Sequence, residues 1–180
     1  KLALSITKRF PKHAFGWKVF AEVLRQKGRI SEALISGQKA VELDPQDSES
    51  HSNLGATLQA LGKLEEAEAS CRRSIALMPD HAGAHNNLGI TLYHSGRFEE
   101  AEASCRRSIA LMPDHADAHV SLGVTLYHYG RPEEAEASYT KAIALEPNNE
   151  SYWNNIFFPV KTLQFSRELN GEQSSSYKDA

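Results

Sequence analysis

Two short stretches of this chain carry residue types that could do chemistry. "PDHAGAH" runs from Pro79 to His85 and "PDHADAH" from Pro113 to His119, so His81 stands four residues before His85 and His115 four before His119. An aspartate precedes the first histidine of each pair. On one helix this spacing stacks two imidazoles on one face, half of a zinc site. Each pair follows a proline, however, so its first histidine falls in a connection and only the second on a helix. The shared face is lost, and we expect no native metal, only weak binding of nickel or zinc by surface pairs. His94 and His128, in "YHSG" and "YHYG", would need an orienting carboxylate and a nucleophile to act as acid–base catalysts, and neither recurs beside them. The two cysteines, Cys71 and Cys105, are too few for a disulfide framework and point to a reducing compartment. No Gly-rich phosphate loop, Ser-His-Asp set or CxxC pair is present. No catalytic residue, no metal and no cofactor is expected.

The elements that position these residues repeat. "EEAEASCRRSIALMPDHAGAH" from Glu65 returns as "EEAEASCRRSIALMPDHADAH" from Glu99, with only Gly83 and Asp117 differing. The offset of 34 residues matches a period of helical repeat arrays. Gly28, Gly62, Gly96 and Gly130 keep this register, as do Ala33, Ala67, Ala101 and Ala135, and Pro45, Pro79, Pro113 and Pro147. Four units follow, 14–47, 48–81, 82–115 and 116–149, each a helix, a glycine turn and a second helix. In the third unit His85, Leu88, Gly89 and Leu92 share one face of the first helix, and Ala101, Cys105, Ser108 and Met112 one stripe of the second. Gly89 and Ala101 are small where the paired helices must approach. Cys71 and Cys105 sit at equivalent places one repeat apart, too distant for a disulfide, and read as buried filler. His51, His85 and His119 occupy the slot that holds Trp17 and Trp153, so packing explains them better than ligation. Glu65, Glu66, Glu99, Glu100, Glu133 and Glu134 fall in first turns of second helices, where negative charge complements the helix dipole.

Trp17…Ala33…Ala40…Pro45, Leu54-Gly55…Leu58…Gly62…Ala67…Pro79, and the runs "HNNLGITLYHSGRFEEAEASC" and "HVSLGVTLYHYGRPEEAEASY" resemble the tetratricopeptide repeat. The resemblance spans 14–149 and implies an all-α fold, a right-handed superhelical solenoid of helix-turn-helix repeats. Residues 1–13 read as the second helix of a preceding repeat, 150–169 as a capping helix in which Phe157 and Pro159 break the pattern, and 170–180 as a disordered tail. The family implies that first helices line a concave groove binding a protein or peptide segment. Its inward positions fall on Lys18, Glu22 and Arg25, then Ser52, Asn53, Ala56 and Gln59. Asn86, Asn87, Ile90, Tyr93 and His94 follow in the third unit, and Val120, Ser121, Val124, Tyr127 and His128 in the fourth. The expected centre is Asn87, Tyr93, Tyr127 and His128. Asn53, Asn87 and Asn155 are similar to the backbone-gripping asparagine ladder of O-GlcNAc transferase repeats, interrupted here by Val19 and Ser121. A carboxylate clamp is disfavoured, because only Lys18 and Arg25 are cationic among these positions.

The resemblance implies an interaction scaffold, and no enzyme activity is expected within these residues. A formal net charge of -3 over 180 residues gives no reason to expect nucleic acid or an anionic membrane. No apolar run approaches the ~20 residues of a membrane span. The start "KLALSITKRF" has no secretory apolar core and reads as an internal cut, and a cytoplasmic location is expected. The alternative function is the non-catalytic substrate-recruiting region of a larger enzyme, such as a glycosyltransferase or sulfotransferase. Weak self-association through exposed end helices is a further expectation.

Overall fold

The computed structural model describes residue 7, residues 9–149 and residue 152. The expected capping helix at 150–169, the tail at 170–180, Asn155 and most of 1–8 lie outside the described residues. The chain divides into two compact units, Lys1–Pro113 and Asp114–Ala180. The first contains helices α1 (Ala14–Gln26), α2 (Ile30–Leu43), α3 (Ser48–Ala60), α4 (Leu64–Leu77), α5 (Ala82–His94) and α6 (Phe98–Leu111). The second contains α7 (Ala116–His128) and α8 (Pro132–Leu145). Every assigned element among the described residues is helical. The fold is an all-α helical repeat solenoid.

Each hairpin is set by its glycine. Gly28, Gly62, Gly96 and Gly130 have φ of 71°, 72°, 73° and 81°, the left-handed region where a Cβ is penalised. They close the same helix ending each time. The N–H after the glycine reaches back to a leucine carbonyl: Arg29 to Leu24 at 2.9 Å, Lys63 to Leu58 at 3.0 Å, Arg97 to Leu92 at 3.0 Å and Arg131 to Leu126 at 2.9 Å. This satisfies carbonyls the helix leaves open and reverses the chain. The side chain of that same residue then pairs with a glutamate in the next first turn: Arg29 with Glu32, Lys63 with Glu66, Arg97 with Glu100 and Arg131 with Glu134.

Within a hairpin the helices meet on small residues. Ala33, Ala67, Ala101 and Ala135 are fully buried. A Cβ built on Gly55 would lie 2.5 Å from Cys71 Sγ, and one on Gly89 2.5 Å from Cys105 Sγ. The cysteines fill the volume the glycines leave, and both are buried thiols in no disulfide. In the second unit Tyr139 takes the cysteine place, and a Cβ on Gly123 would enter its ring. In the first hairpin the pair is inverted: Ala21 faces Gly37. One expectation is corrected here. Met112 does not extend the buried stripe of α6. Its backbone is extended (φ -140°, ψ 89°), which turns the chain toward Pro113 and leaves the side chain 46% exposed.

In the first unit α3 packs on α1 and α2 as well as on its partner α4, and α5 packs on α3 and α4 as well as on α6. A helix with so many neighbours must bury polar positions, and the small hydroxyls serve. Ser48 Oγ donates to the Ser74 carbonyl (3.1 Å) and Ser74 Oγ to the Ser48 carbonyl (2.8 Å), tying α3 to α4. Thr57 and Thr91 donate to the carbonyls of Asn53 and Asn87 one turn earlier, both at 2.8 Å.

Candidate partner-binding face

The histidine slots are occupied by structural bonds. Trp17 Nε1 donates to the Pro11 carbonyl at 2.8 Å. His51 Nε2 and His85 Nε2 hydrogen-bond the carbonyls of Pro45 and Pro79 at 3.1 and 3.0 Å. Imidazole and indole therefore do one job, anchoring the first helix to the preceding proline loop. His81 Nδ1 lies 3.2 Å from Ser74 Oγ. Burial holds the His81 imidazole below its ordinary pKa, against the pull of Glu49, Asp47 and Asp80. Burial pushes the Cys71 thiol up to about 12, so it stays protonated at neutral pH. Among the described residues no group of three or more histidine, cysteine or acidic side chains could hold a metal.

The two cations expected in the groove are neutralised within the chain. Lys18 Nζ lies 2.7 Å from Glu49 Oε2 and 3.0 Å from Asp47 Oδ2. It links α1 to the start of α3. Burial alone would raise Asp47, but hydrogen bonds from Ser50 and Lys18 outweigh it and hold the carboxyl below the usual range. Arg25 pairs with Glu22 at 2.8 Å, and Gln26 also donates to that carboxylate.

The asparagines divide. Asn53 and Asn87 are half-buried on α3 and α5. Asn87 Nδ2 donates to Ser52 Oγ (3.0 Å) and approaches the Ser52 carbonyl (3.3 Å), bridging two first helices of the first unit. Asn86, expected on the open face, is instead buried, and its Oδ1 has no hydrogen-bond partner among the described residues. Val120 is likewise buried, at 9% exposure. Gln59 and Ile90 are half-buried. Tyr93 is half-buried too, its ring edge-on to exposed His94 (5.0 Å) and tilted against Phe98 (5.9 Å). In the second unit Val124 and Tyr127 are half-buried and His128 is exposed, with Tyr127 and His128 edge-on at 5.5 Å.

Two concavities lie at the α1 end of the first unit, where Lys18, Glu22 and Asn53 of the expected groove meet residues outside it. A cleft of about 380 Å³ is lined by Lys12, His13, Ala14, Phe15, Lys18, Leu43, Asp44 and Asp47. A second, of about 180 Å³, is lined by Phe15, Lys18, Val19, Glu22, Val23, Glu49 and Asn53. Phe15 and Lys18 belong to both. Phe15 is 57% exposed, and Lys18 Nζ stands 5.8 Å from its ring centroid. The one signal in the sequence was an aromatic residue two positions before Trp17, off the apolar stripe.

The repeat geometry and its sequence register meet in a family match. A tetratricopeptide-repeat model matches residues 47–111 and 80–146, and a TPR-repeat model matches 21–62. The chain belongs to the tetratricopeptide-repeat family. No curated protein matches it in sequence. Solved structures share the fold at low identity. A thermophilic TPR protein of Thermus thermophilus is 23% identical, with 88% of this chain and 87% of that chain covered and a TM-score of 0.80. PilF of Pseudomonas aeruginosa is 22% identical over 84% of this chain and 69% of that one, with a TM-score of 0.72. A chain of the APC/C hetero-tetramer Cut9-Hcn1 is 19% identical with a TM-score of 0.81; the match covers 91% of this chain and 33% of that one. Tetratricopeptide arrays are in general protein-interaction scaffolds, and this chain is one of them. None of the described helices is long and apolar enough to cross a membrane.

Proposed function

We propose that this scaffold binds an extended segment of a protein partner along the face formed by the first helices of its first unit, α1, α3 and α5. The observation that carries the reading is the cleft between α1 and α3, lined by Lys18, Glu22 and Asn53 of the expected groove, with a larger one adjoining it at Phe15 and Lys18 beside the end of α2. Half-buried Asn53, Asn87, Ile90 and Tyr93 continue the face along α3 and α5. Half-buried amides and a stiff aromatic ring suit main-chain and side-chain contact at low entropic cost. An acidic chain terminus is not the favoured ligand, because Lys18 and Arg25 already hold carboxylates of their own. Amide chemical-shift mapping with a panel of short unstructured peptides tests the reading. Perturbations concentrated on α1, α3 and α5 are expected. Perturbations confined to the second helices α2, α4 and α6 would overturn it.

A further inference from the structure

We infer that the α1 end of this face selects a basic-apolar protein segment, one that places an arginine or lysine beside an apolar side chain. The inference rests on the partner-binding reading above and adds the chemistry of the partner. Phe15 lines both clefts, and together they have room for neighbouring side chains of one segment. The ring is more than half exposed and lines the smaller cleft together with Val19 and Val23. Charge decides what the clefts accept. Lys18 is a single ammonium shared between Asp47 and Glu49, and across both clefts Asp44, Asp47, Glu22 and Glu49 outnumber Lys12, Lys18 and the Arg25 that pairs with Glu22, a small negative excess. Glu49 is 60% exposed, and it meets Lys18 through Oε2. Asp44 lines the larger cleft, is exposed, and accepts the Gln46 N–H at a long 3.2 Å. A cation entering here meets exposed carboxylates and the face of an aromatic ring, a pairing that strengthens as water is excluded. Lys18 already stands over Phe15, which shows that the ring sits within reach of a cation. The same excess disfavours an acidic segment, and a neutral one gains only the apolar contact.

The test uses the full chain and three fluorescein-labelled peptides of alternating residues: leucine with arginine, leucine with glutamine, and leucine with glutamate. Anisotropy titrations should rank arginine above glutamine by roughly tenfold, with glutamate weakest. The paired variant Asp44→Asn/Glu49→Gln should remove most of that preference while the helical circular dichroism and melting temperature hold. A control, Glu65→Gln/Glu99→Gln, makes the same charge change on second helices and should keep the preference. Phe15→Ala should weaken the arginine peptide most. Equal binding of the arginine and glutamine peptides, with shifts still on α1, α3 and α5, would overturn this inference and leave the scaffold reading standing. A preference lost equally in the control would show a general field and would also overturn it. Shifts confined to the second helices for all three peptides would remove both readings.

Discussion

Trp17, His51 and His85 show how one residue-scale requirement admits two side chains. Each turns a ring nitrogen to a proline carbonyl six residues earlier. His85→Trp should therefore be tolerated, whereas His85→Phe keeps the ring and loses the bond, for about 0.5–1.5 kcal/mol in a thermal melt. That the slot is structural was legible in the sequence, because histidine alternated with tryptophan at a single place in the repeat, but packing was expected there and the bond to the proline carbonyl was not. Lys18 was not legible in the same way. Its partners Asp47 and Glu49 lie 29 and 31 residues away, and nothing in local spacing announces the pair. His81 supplies a pH prediction. Its imidazole is held below the ordinary ~6.5, so the folded state prefers the neutral ring. The associated stability is complete above that ordinary value and is lost as the pH falls toward the depressed one. Melting temperatures from pH ~7 to ~5 should decline, and His81→Asn should flatten that part of the profile. An unchanged slope in the variant would remove His81 from the account.

At the scale of the helix pair, glycine and its partner side chain act as one unit. Gly55 with Cys71, Gly89 with Cys105 and Gly123 with Tyr139 interlock, and Ala21 with Gly37 performs the same closure in reverse. Gly89→Leu should cost ~1–3 kcal/mol or more, because Cys105 Sγ and the Ala101 carbonyl already stand where its Cβ must go. The inverted first hairpin makes a sharper test. Gly89→Ala and Cys105→Gly should each destabilise alone, yet together recover part of the loss, with a coupling of roughly 0.5–3 kcal/mol in a double-mutant cycle. Strict additivity would refute the interlock. The glycine, alanine and proline register made the hairpins readable from sequence, because backbone reversal and close approach each demand a particular residue. The open face was harder to read. Helices α3 and α5 pack on several neighbours, so small polar residues such as Ser48, Ser50, Ser52 and Asn86 are buried alongside leucine. Polarity then no longer separates inside from outside, and Asn86 was placed on the wrong face for that reason.

At the scale of the molecule, stability in the first unit comes from stacking, since one pair of short helices cannot bury its own apolar stripe. Residues 14–113 in isolation should give a helical circular dichroism spectrum with a cooperative melt, while 48–81 alone should be largely unfolded. A folded 48–81 would overturn the stacking argument. The cross-links between neighbouring hairpins of this unit differ in kind, and that difference has a mechanical meaning. Between the first hairpin and the second, the side-chain strut is Lys18 with Asp47 and Glu49, charge on charge. Between the second and the third, Arg97 with Glu68 is joined by the uncharged bond from Asn87 to Ser52. Considered as a spring, the unit has two joints of unequal temper. Ionic strength screens the first strut and, in the second, only the ion pair, leaving the amide bond largely untouched, so added salt should loosen the α1 end more than the α3–α6 segment. Within this unit, near-identical coils would then have a softer end and a stiffer one.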